Sequence, residues 1–320
     1  MASRKTTVGV VGLGHVGAHV AYALGMMGVA DVVKMCDLKE KKSISERQDL
    51  MDAVYFMPRR VDYQLVSYEE MGDCDVIINA AGDVSLCATG NRDDEMHFTV
   101  KQVADFVPKI MAGGFDGVII NITNPCDVIA RLISELSGLP KGRVLGTGTC
   151  LDSSRLIGAI SRHTNLDPHS FNAFMMGEHG QAQMVPWSLV AFKGKPLVEM
   201  EKDPRFAFDK DEVQKEAIGA GWTTYSGKFC TEYGICSTAA TLAQAVLHDE
   251  RKIFSCSVEL DGEYGQHGIF CGVPAVIGSH GVEEVLEYHL PEEENKTFLK
   301  CCDTIHANLA RAKDMLAGKL

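Results

Sequence analysis

The stretch that decides the fold is Gly12-Leu13-Gly14-His15-Val16-Gly17. It follows an apolar run of strand length, Val8–Val11, and opens a run with helical spacing, Val16–Met27. The first glycine of such a motif permits a tight turn, the second lets a pyrophosphate approach the backbone, and the third packs helix on strand. The amides at the helix start and the helix dipole then hold the phosphates. We therefore predict that Gly12, Gly14 and Gly17 bind a dinucleotide.

An acidic residue follows at the distance that this motif predicts. Asp37 lies 20 residues after Gly17, at the end of the second apolar run, Val32–Cys36. Its carboxylate can accept hydrogen bonds from both ribose hydroxyls and would repel a 2′-phosphate, which favours NAD over NADP. Lys39 and two further lysines weaken this preference, but they follow the strand end and are expected to face solvent. A glycine-rich turn without a ligand is the alternative interpretation.

Short β-branched runs alternate with helical stretches through the first half of the chain. The runs of strand length are Val8–Val11, Val32–Cys36, Val76–Asn79, Val118–Ile122 and Val144–Leu145. The helical stretches between them are Val16–Met27, Ser43–Tyr55, Met96–Ile110 and Val128–Leu136. Nearly continuous apolar strands that alternate with helices indicate a parallel sheet covered on both faces. With the glycine motif, this pattern predicts a doubly wound α/β domain of the Rossmann type over residues 1–148.

The pattern changes from about Thr149. A helical stretch, Cys150–Ser161, comes first. We interpret four later runs as longer, antiparallel strands: Phe171–Met176, Val185–Phe192, Ile253–Val258 and Ile269–Ile277. We predict that Glu292–Leu316 forms a final helix packed on the body of the protein, because its apolar residues fall near one helical face. Residues 149–320 are therefore expected to form an α+β domain.

Composition narrows the classes of partner. The chain has 31 Lys+Arg against 43 Asp+Glu and a net charge of -12, which makes nucleic acid and membrane surfaces unfavourable partners. The 11 cysteines include no CxxC pair and show no zinc-ligand spacing, so we expect reduced thiols and no bound metal. Because neither a signal peptide nor a long apolar segment is evident, we expect a cytoplasmic protein.

Two further segments carry candidate catalytic groups. In Leu151–Arg155, Asp152 and Arg155 are three residues apart and share one face of a helix. A pair of this kind is usually a surface ion pair that contributes little. In Gly177–Gly180, the flanking glycines leave His179 approachable by a ligand, although a lone histidine is more often structural.

Together these segments resemble the lactate/malate dehydrogenase family. The matching motifs, in the family's order and spacing, are Gly12–Gly17, Asp37, Thr123-Asn124-Pro125, Gly146–Thr149, Leu151–Arg155 and Gly177–Gly180. The likeness covers essentially the whole chain and points to the branch of L-2-hydroxyisocaproate and L-lactate dehydrogenases. It implies an NAD-dependent oxidoreductase that interconverts 2-oxo acids and L-2-hydroxy acids and forms homo-oligomers, either dimers or tetramers.

The resemblance implies a role for each matching residue. His179 exchanges a proton with the substrate oxygen, Asp152 orients its imidazole, and Arg155 binds the substrate carboxylate through two parallel hydrogen bonds. Asn124 is expected to orient the substrate and the nicotinamide. Thr231 matches a pocket threonine of the family, although a helix-end hydroxyl is an equally good interpretation. Further cofactor contacts are expected at Val16, Gly82 and Ile122.

The segment Gly82–Asp94, which we call the lid, is expected to be mobile. Its closure would expel water and bring Arg92 to the carbonyl that becomes an alkoxide. Malate enzymes of the family carry an arginine early in the lid, whereas this lid begins Asp83-Val84-Ser85-Leu86-Cys87, without a cation. An unpaired second carboxylate in a closed site costs on the order of several kcal/mol, so malate is disfavoured. Ser85 is expected to face a larger apolar group of the substrate.

Two rival functions remain at this point. A malate dehydrogenase would share the catalytic groups, and a non-catalytic NAD-binding protein would be expected to have lost His179, Asp152 or Arg155. Among monocarboxylates, pyruvate and longer 2-oxo acids fit equally well. Ile157 and Asn172 stand where many bacterial lactate dehydrogenases have the arginine and histidine that bind an activating sugar bisphosphate, so we expect no such activation.

Overall fold

The computed structural model describes residues 4–83, 85–86 and 92–319, without the side chains at 92–94. The helices are α1 (His15–Met26), α2 (Glu40–Ala53), α3 (Arg92–Ala112), α4 (Cys126–Ser137), α5 (Thr149–Thr164), α6 (Leu197–Met200), α7 (Lys210–Lys228), α8 (Tyr233–Leu247) and α9 (Glu292–Leu316). The strands are β1 (Thr7–Val11), β2 (Val32–Cys36), β3 (Asp62–Leu65), β4 (Val76–Asn79), β5 (Val118–Asn121), β6 (Val144–Gly146), β7 (Met176–Gly177), β8 (Gln183–Met184), β9 (Ala191–Phe192), β10 (Lys195–Pro196), β11 (Lys252–Asp261), β12 (His267–Gly278) and β13 (Gly281–Val285).

The first six strands form a parallel sheet in the order β3-β2-β1-β4-β5-β6. The order reverses between β1 and β4, and in sheets of this kind ligands bind outside the carboxyl ends of the strands at that point. The doubly wound, Rossmann-type sheet is therefore confirmed, and every strand and helix predicted for this half is present. The sequence analysis missed β3, because it is an edge strand in which Tyr63 alone is buried and no apolar run marks it.

The second half continues the same sheet. The long strands β11 and β12 pair antiparallel, and β11 joins β6 through Ser257 and Gly146. The antiparallel strands predicted at 253–258 and 269–277 are confirmed, and the closing helix α9 has the predicted bounds. Because the sheet crosses the two halves, the division between residues 148 and 149 stays a prediction.

Two of the predicted long strands are wrong. Of Phe171–Met176 only Met176 enters a strand, and Val185–Phe192 contains a 3₁₀ turn, Trp187–Leu189, before the two-residue β9. Pro186 has no amide hydrogen to donate to a neighbouring strand, which interrupts pairing there. Their apolar side chains are buried for another reason, because they pack with α5 and α7 in a second, smaller apolar cluster.

Helix packing links the two halves around the switch point. α1 packs against α8, and α5 packs against α7, so elements distant in the chain lie side by side. The larger apolar cluster includes side chains from the sheet, from the helices that cover it and from α9. Among the described residues, no helix combines the length and the apolar character that a membrane span needs.

Candidate active site

The glycine motif forms the turn between β1 and α1, as its local sterics require. Gly12 has φ +87°, and a Cβ there would lie 2.8 Å from the backbone of Ala80, at the end of the neighbouring β4. A Cβ on Gly17 would overlap the carbonyl oxygen of Gly12. Gly14 differs, because a Cβ there would meet nothing within 4 Å. The backbone of Gly14 therefore faces open space at the start of the helix.

This open cradle fits a dinucleotide chemically. No side chain caps α1 and no acidic residue lies in its first turn, so its first amides remain available to an anion. Asp37 lies beside the turn, where its Oδ2 accepts a 2.7 Å hydrogen bond from the Leu13 amide and its Oδ1 accepts a 2.8 Å bond from the Lys39 amide. Half-buried Val16 belongs to α1, and Gly82 and Ile122 follow the carboxyl ends of β4 and β5.

Two fully buried asparagines hold the loops at the switch point. Asn79 and Asn121 end β4 and β5, and the Asn79 side chain donates a 2.8 Å hydrogen bond to Oδ1 of Asn121. Asn121 in turn donates to the carbonyl oxygens of Thr123 and Cys126, at 2.9 and 3.0 Å. This network fixes the turn that carries the exposed Asn124. Sequence reasoning missed it, although both strands carry the same letters, VIIN.

His179 and Asp152 form a hydrogen-bonded pair. Nδ1 of His179 lies 2.6 Å from Oδ2 of Asp152, whose side chain is 1% exposed. Because a carboxylate only accepts hydrogen bonds, Nδ1 carries the hydrogen and Nε2 is left to exchange a proton. Burial alone would lower the pKa of His179, but the charge and hydrogen bond of Asp152 outweigh it and raise that pKa above its ordinary value of 6.5. Burial alone would raise the pKa of Asp152, but the charges and hydrogen bonds of His179 and Arg155 outweigh it and lower that pKa.

A tight hairpin between β7 and β8 carries His179. Gly177 has φ +101°, and a Cβ there would lie 2.8 Å from the Cβ of Cys301 on α9. The buried Glu178 folds back across the turn and accepts a 2.9 Å hydrogen bond from the Ala182 amide. A Cβ on Gly180 would lie 2.5 Å from this carboxylate. Close packing therefore excludes a side chain at both flanking positions, and the two glycines also leave the histidine approachable.

A second carboxylate, which sequence reasoning missed, holds the backbone of His179. Oδ2 of Asp127 accepts a 2.8 Å hydrogen bond from the His179 amide, and Oδ1 accepts a 2.5 Å bond from the Ser257 hydroxyl. Asp127 lies in the first turn of α4 and is 3% exposed, and its burial raises its pKa to about 6. In the sequence it could be interpreted only as an ordinary acidic residue near a helix start, because its partners are 52 and 130 positions away.

Arg155 lies beside the pair, as its position on α5 predicts. Its NH1 donates a 2.7 Å hydrogen bond to Oδ1 of Asp152, and its NH2 lies 3.5 Å from the hydroxyl of Thr231. A Cβ on Gly221 of α7 would lie 3.4 Å from NH1 of Arg155. The structure thus brings together four of the predicted residues: His179, Asp152, Arg155 and Thr231. Beside the guanidinium, helix α7 presents Gly221, which has no side chain.

The lid residues are not joined to this group in the described part of the chain. Ser85 is exposed, and its amide and hydroxyl donate to Oδ1 of Asp83 at 3.0 and 2.6 Å. Arg92 is the first residue of α3, and its side chain lies outside the described part of the structure. Val84 and Cys87 lie outside the described residues. The roles expected for Ser85 and Arg92 stay predictions.

Comparisons with known proteins agree with the motifs. The family model of the lactate/malate dehydrogenase NAD binding domain matches residues 6–146, and that of the alpha/beta C-terminal domain matches residues 149–316. The chain is 40% identical over 298 residues to an L-lactate dehydrogenase of Fusobacterium nucleatum, which covers 92% of this chain and 93% of that protein.

Solved structures of similar proteins extend over the same length. A minor L-lactate dehydrogenase from Enterococcus mundtii superposes with a TM-score of 0.90 at 31% identity, over 96% of this chain and 98% of that one. A malate dehydrogenase from Salinibacter ruber superposes with a TM-score of 0.87 at 28% identity, over 98% of this chain and 100% of that one. The chain belongs to the lactate/malate dehydrogenase family, as its motifs predicted.

Proposed function

We propose that this chain is an NAD-dependent L-2-hydroxyacid dehydrogenase that reversibly reduces a 2-oxo monocarboxylate. The observation that carries the proposal is the constellation of His179, Asp152 and Arg155, linked by hydrogen bonds of 2.6 and 2.7 Å. It combines a proton donor, the carboxylate that orients this donor, and a fork of N–H groups that matches a carboxylate. A binding-only protein would have no use for this arrangement.

Each side chain has a defined task in the reduction. NADH, when bound, supplies the hydride that reduces the carbonyl carbon. His179 donates the proton on Nε2 to the carbonyl oxygen, and takes it back during oxidation of the hydroxy acid. Asp152 stays ionised and holds the ring through Nδ1, which stabilises the protonated imidazole. Arg155 holds the substrate carboxylate, and Arg92 on the closed lid would stabilise the developing negative charge on oxygen.

The residues around the glycine turn support NAD as the cofactor. The open cradle at Gly14 suits the pyrophosphate, and the carboxylate of Asp37 would accept from the ribose hydroxyls and repel a 2′-phosphate. Val16, Gly82, Ile122 and Asn124 would line the rest of the nucleotide site. Substituting each of these residues and measuring the Kd of NADH would test its assignment.

The substrate class follows from the charge and space near Arg155. Of the lid residues expected near the substrate, Asp83, Ser85 and Leu86 are described, and none is cationic. A second carboxylate would therefore stay unpaired, which disfavours oxaloacetate. A side chain at Gly221 would come within 3.4 Å of the guanidinium, so the wall beside Arg155 has to stay small. With the small Ser85 and the apolar Leu86 of the lid, this is compatible with apolar groups from methyl to isobutyl.

The proposal is tested by following NADH oxidation with pyruvate, 2-oxoisocaproate, phenylpyruvate and oxaloacetate in parallel. We expect the best monocarboxylate to exceed oxaloacetate at least about tenfold in kcat/KM, which corresponds to about 1.4 kcal/mol. Gly221→Val should penalise 2-oxoisocaproate more than pyruvate. Fructose 1,6-bisphosphate should leave all rates unchanged. Oxaloacetate as the best substrate would refute the monocarboxylate assignment.

A homo-oligomer in the cytoplasm is part of the proposal. Ile44 and Met51 of α2, with Tyr55 and Phe56 just after it, expose 55, 45, 87 and 78% of their surfaces. Neighbouring exposed apolar side chains of this size favour burial between subunits, and closed symmetric assemblies are the usual result. The cysteines in the described residues are free thiols, which suits a reducing compartment. Sedimentation of the wild type and of Phe56→Ser would test the assembly.

A further inference from the structure

Three side chains with metal-binding atoms converge beside the glycine turn. His15 is the first residue of α1, and Cys230 and Glu232 lie in the segment between α7 and α8. Nδ1 of His15 is 3.3 Å from Oε1 of Glu232. These two atoms and Sγ of Cys230 all lie within 4.8 Å of one another. The packing of α1 against α8 creates this cluster, which nothing in the proposed reaction uses.

The donor set matches a cation of borderline softness. Imidazole nitrogen, thiolate sulfur and carboxylate oxygen are the ligands of Zn²⁺, at about 2.0–2.3 Å, whereas Mg²⁺ and Ca²⁺ select oxygen alone. A tetrahedron with these bond lengths places its ligand atoms roughly 3.5 Å apart. The pair of His15 and Glu232 is already near that spacing, and Sγ of Cys230 lies within 4.8 Å of both ligand atoms, so a small adjustment would let all three bind one ion.

The cluster combines two fixed ligands with one adjustable ligand. Cys230 is 7% exposed, and the side chain of Glu232 is 11% exposed, so packing limits the movement of both. The side chain of His15 is 71% exposed and is able to rotate toward a cation. A mobile histidine that completes a nearly buried pair allows the cation to enter from solvent.

A lysine orients the carboxylate of this cluster. Lys228 forms an ion pair with Oε2 of Glu232, which leaves Oε1 directed at His15. Partners of this kind, which hold a ligand in position, contribute to metal affinity in known sites.

We propose that His15, Cys230 and Glu232 form a binding site for Zn²⁺ or a cation of the same class, with water as the fourth ligand. The site goes beyond the proposed function and replaces the expectation of a chain without a metal site. Because His15 belongs to the glycine turn and Cys230 adjoins Thr231, an occupied site would tie the nucleotide turn to the wall of the substrate pocket. Binding to the folded chain alone would also raise its Tm.

The test is a calorimetric titration of Zn²⁺ into the chelator-treated full-length protein. We expect one site per chain whose affinity falls at least about tenfold in Cys230→Ser, and similarly in His15→Gln and Glu232→Gln. The matched control is Cys236→Ser, because Cys236 is also 7% exposed but lies outside the cluster. With Co²⁺ as the probe, the wild type should show a thiolate-to-cobalt charge-transfer band that Cys230→Ser lacks.

Equal Zn²⁺ affinity in the wild type and in Cys230→Ser, or a Co²⁺ spectrum without the thiolate band, would overturn the proposal. Circular dichroism and NADH binding would show whether Cys230→Ser folds, and Glu232→Gln carries the test if it does not. The readout is metal binding, so the result is independent of the dehydrogenase activity. An inactive protein that binds Zn²⁺ through Cys230 would support this site and refute only the proposed reaction.

Discussion

The glycine turn, proposed to bind the nucleotide, and the proposed catalytic centre around His179 are built in opposite ways. The turn is a single stretch, Gly12–Gly17, whose shape follows from close contacts between neighbouring backbone atoms. The catalytic centre is assembled from distant segments, with the ring of His179 held by Asp152 and its backbone held by Asp127. Changes in the turn should therefore act on NADH binding alone. Changes in the assembled centre should act on the substrate and the proton and spare NADH.

The largest effect is expected from His179→Gln. Loss of the acid/base group should lower kcat about 10²–10⁴-fold, while the Kd of NADH, measured by fluorescence titration, stays close to that of the wild type. His169→Gln serves as the control, because His169 is exposed and paired with Asp167 at the surface. A variant at position 179 with normal turnover would refute the role of this histidine.

Arg155→Lys should have the next largest effect. A lysine provides a point charge in place of the planar fork, so kcat/KM for the 2-oxo acid should fall roughly 30–1000-fold, which corresponds to about 2–4 kcal/mol. The Kd of NADH should not change. Arg162→Lys, an exposed position on the same helix, is the matched control. An equal loss of NADH affinity would show that the two regions are not separable.

Gly14→Ala tests the other side of the comparison. The added methyl group meets no protein atom within 4 Å, so the fold and the Tm should be kept. The same group would stand where the pyrophosphate approaches, and we expect the Kd of NADH to rise about tenfold. Gly227→Ala, on α7 and also open to space, should leave NADH binding unchanged. Unchanged NADH affinity in Gly14→Ala would place the cofactor elsewhere.

The smallest effect is expected from Asp127→Asn, and it should appear as a shift of the pH profile of the reduction rate. The negative charge of Asp127 contributes to the raised pKa of His179, so its removal lowers that pKa. Reduction requires protonated His179 and falls as the pH rises through its pKa, so the fall should begin at lower pH, by less than about one unit. Asp203→Asn, which removes an exposed carboxylate paired with Arg205, is the control and should leave the profile in place. A shift to higher pH would contradict this assignment.

Much of this architecture could be predicted from near neighbours in the chain. The strand and helix alternation, the glycine turn and the shared face of Asp152 and Arg155 all follow from periodicities over a few residues. The same approach failed for Phe171–Met176 and Val185–Phe192. There the apolar pattern mainly reports burial against α5 and α7, and only Met176, Ala191 and Phe192 enter strands.

The sequence by itself therefore determined the parallel sheet and the glycine turn, and it predicted where a dinucleotide would bind and that Asp152 and His179 would act as a pair. Only the tertiary structure decided that Asp127 supports His179, that Asn79 bonds Asn121, and that His15 meets Cys230 and Glu232. The physical reason is distance along the chain. Backbone sterics and helical spacing act between neighbours, whereas these contacts exist only once the sheet and helices have packed.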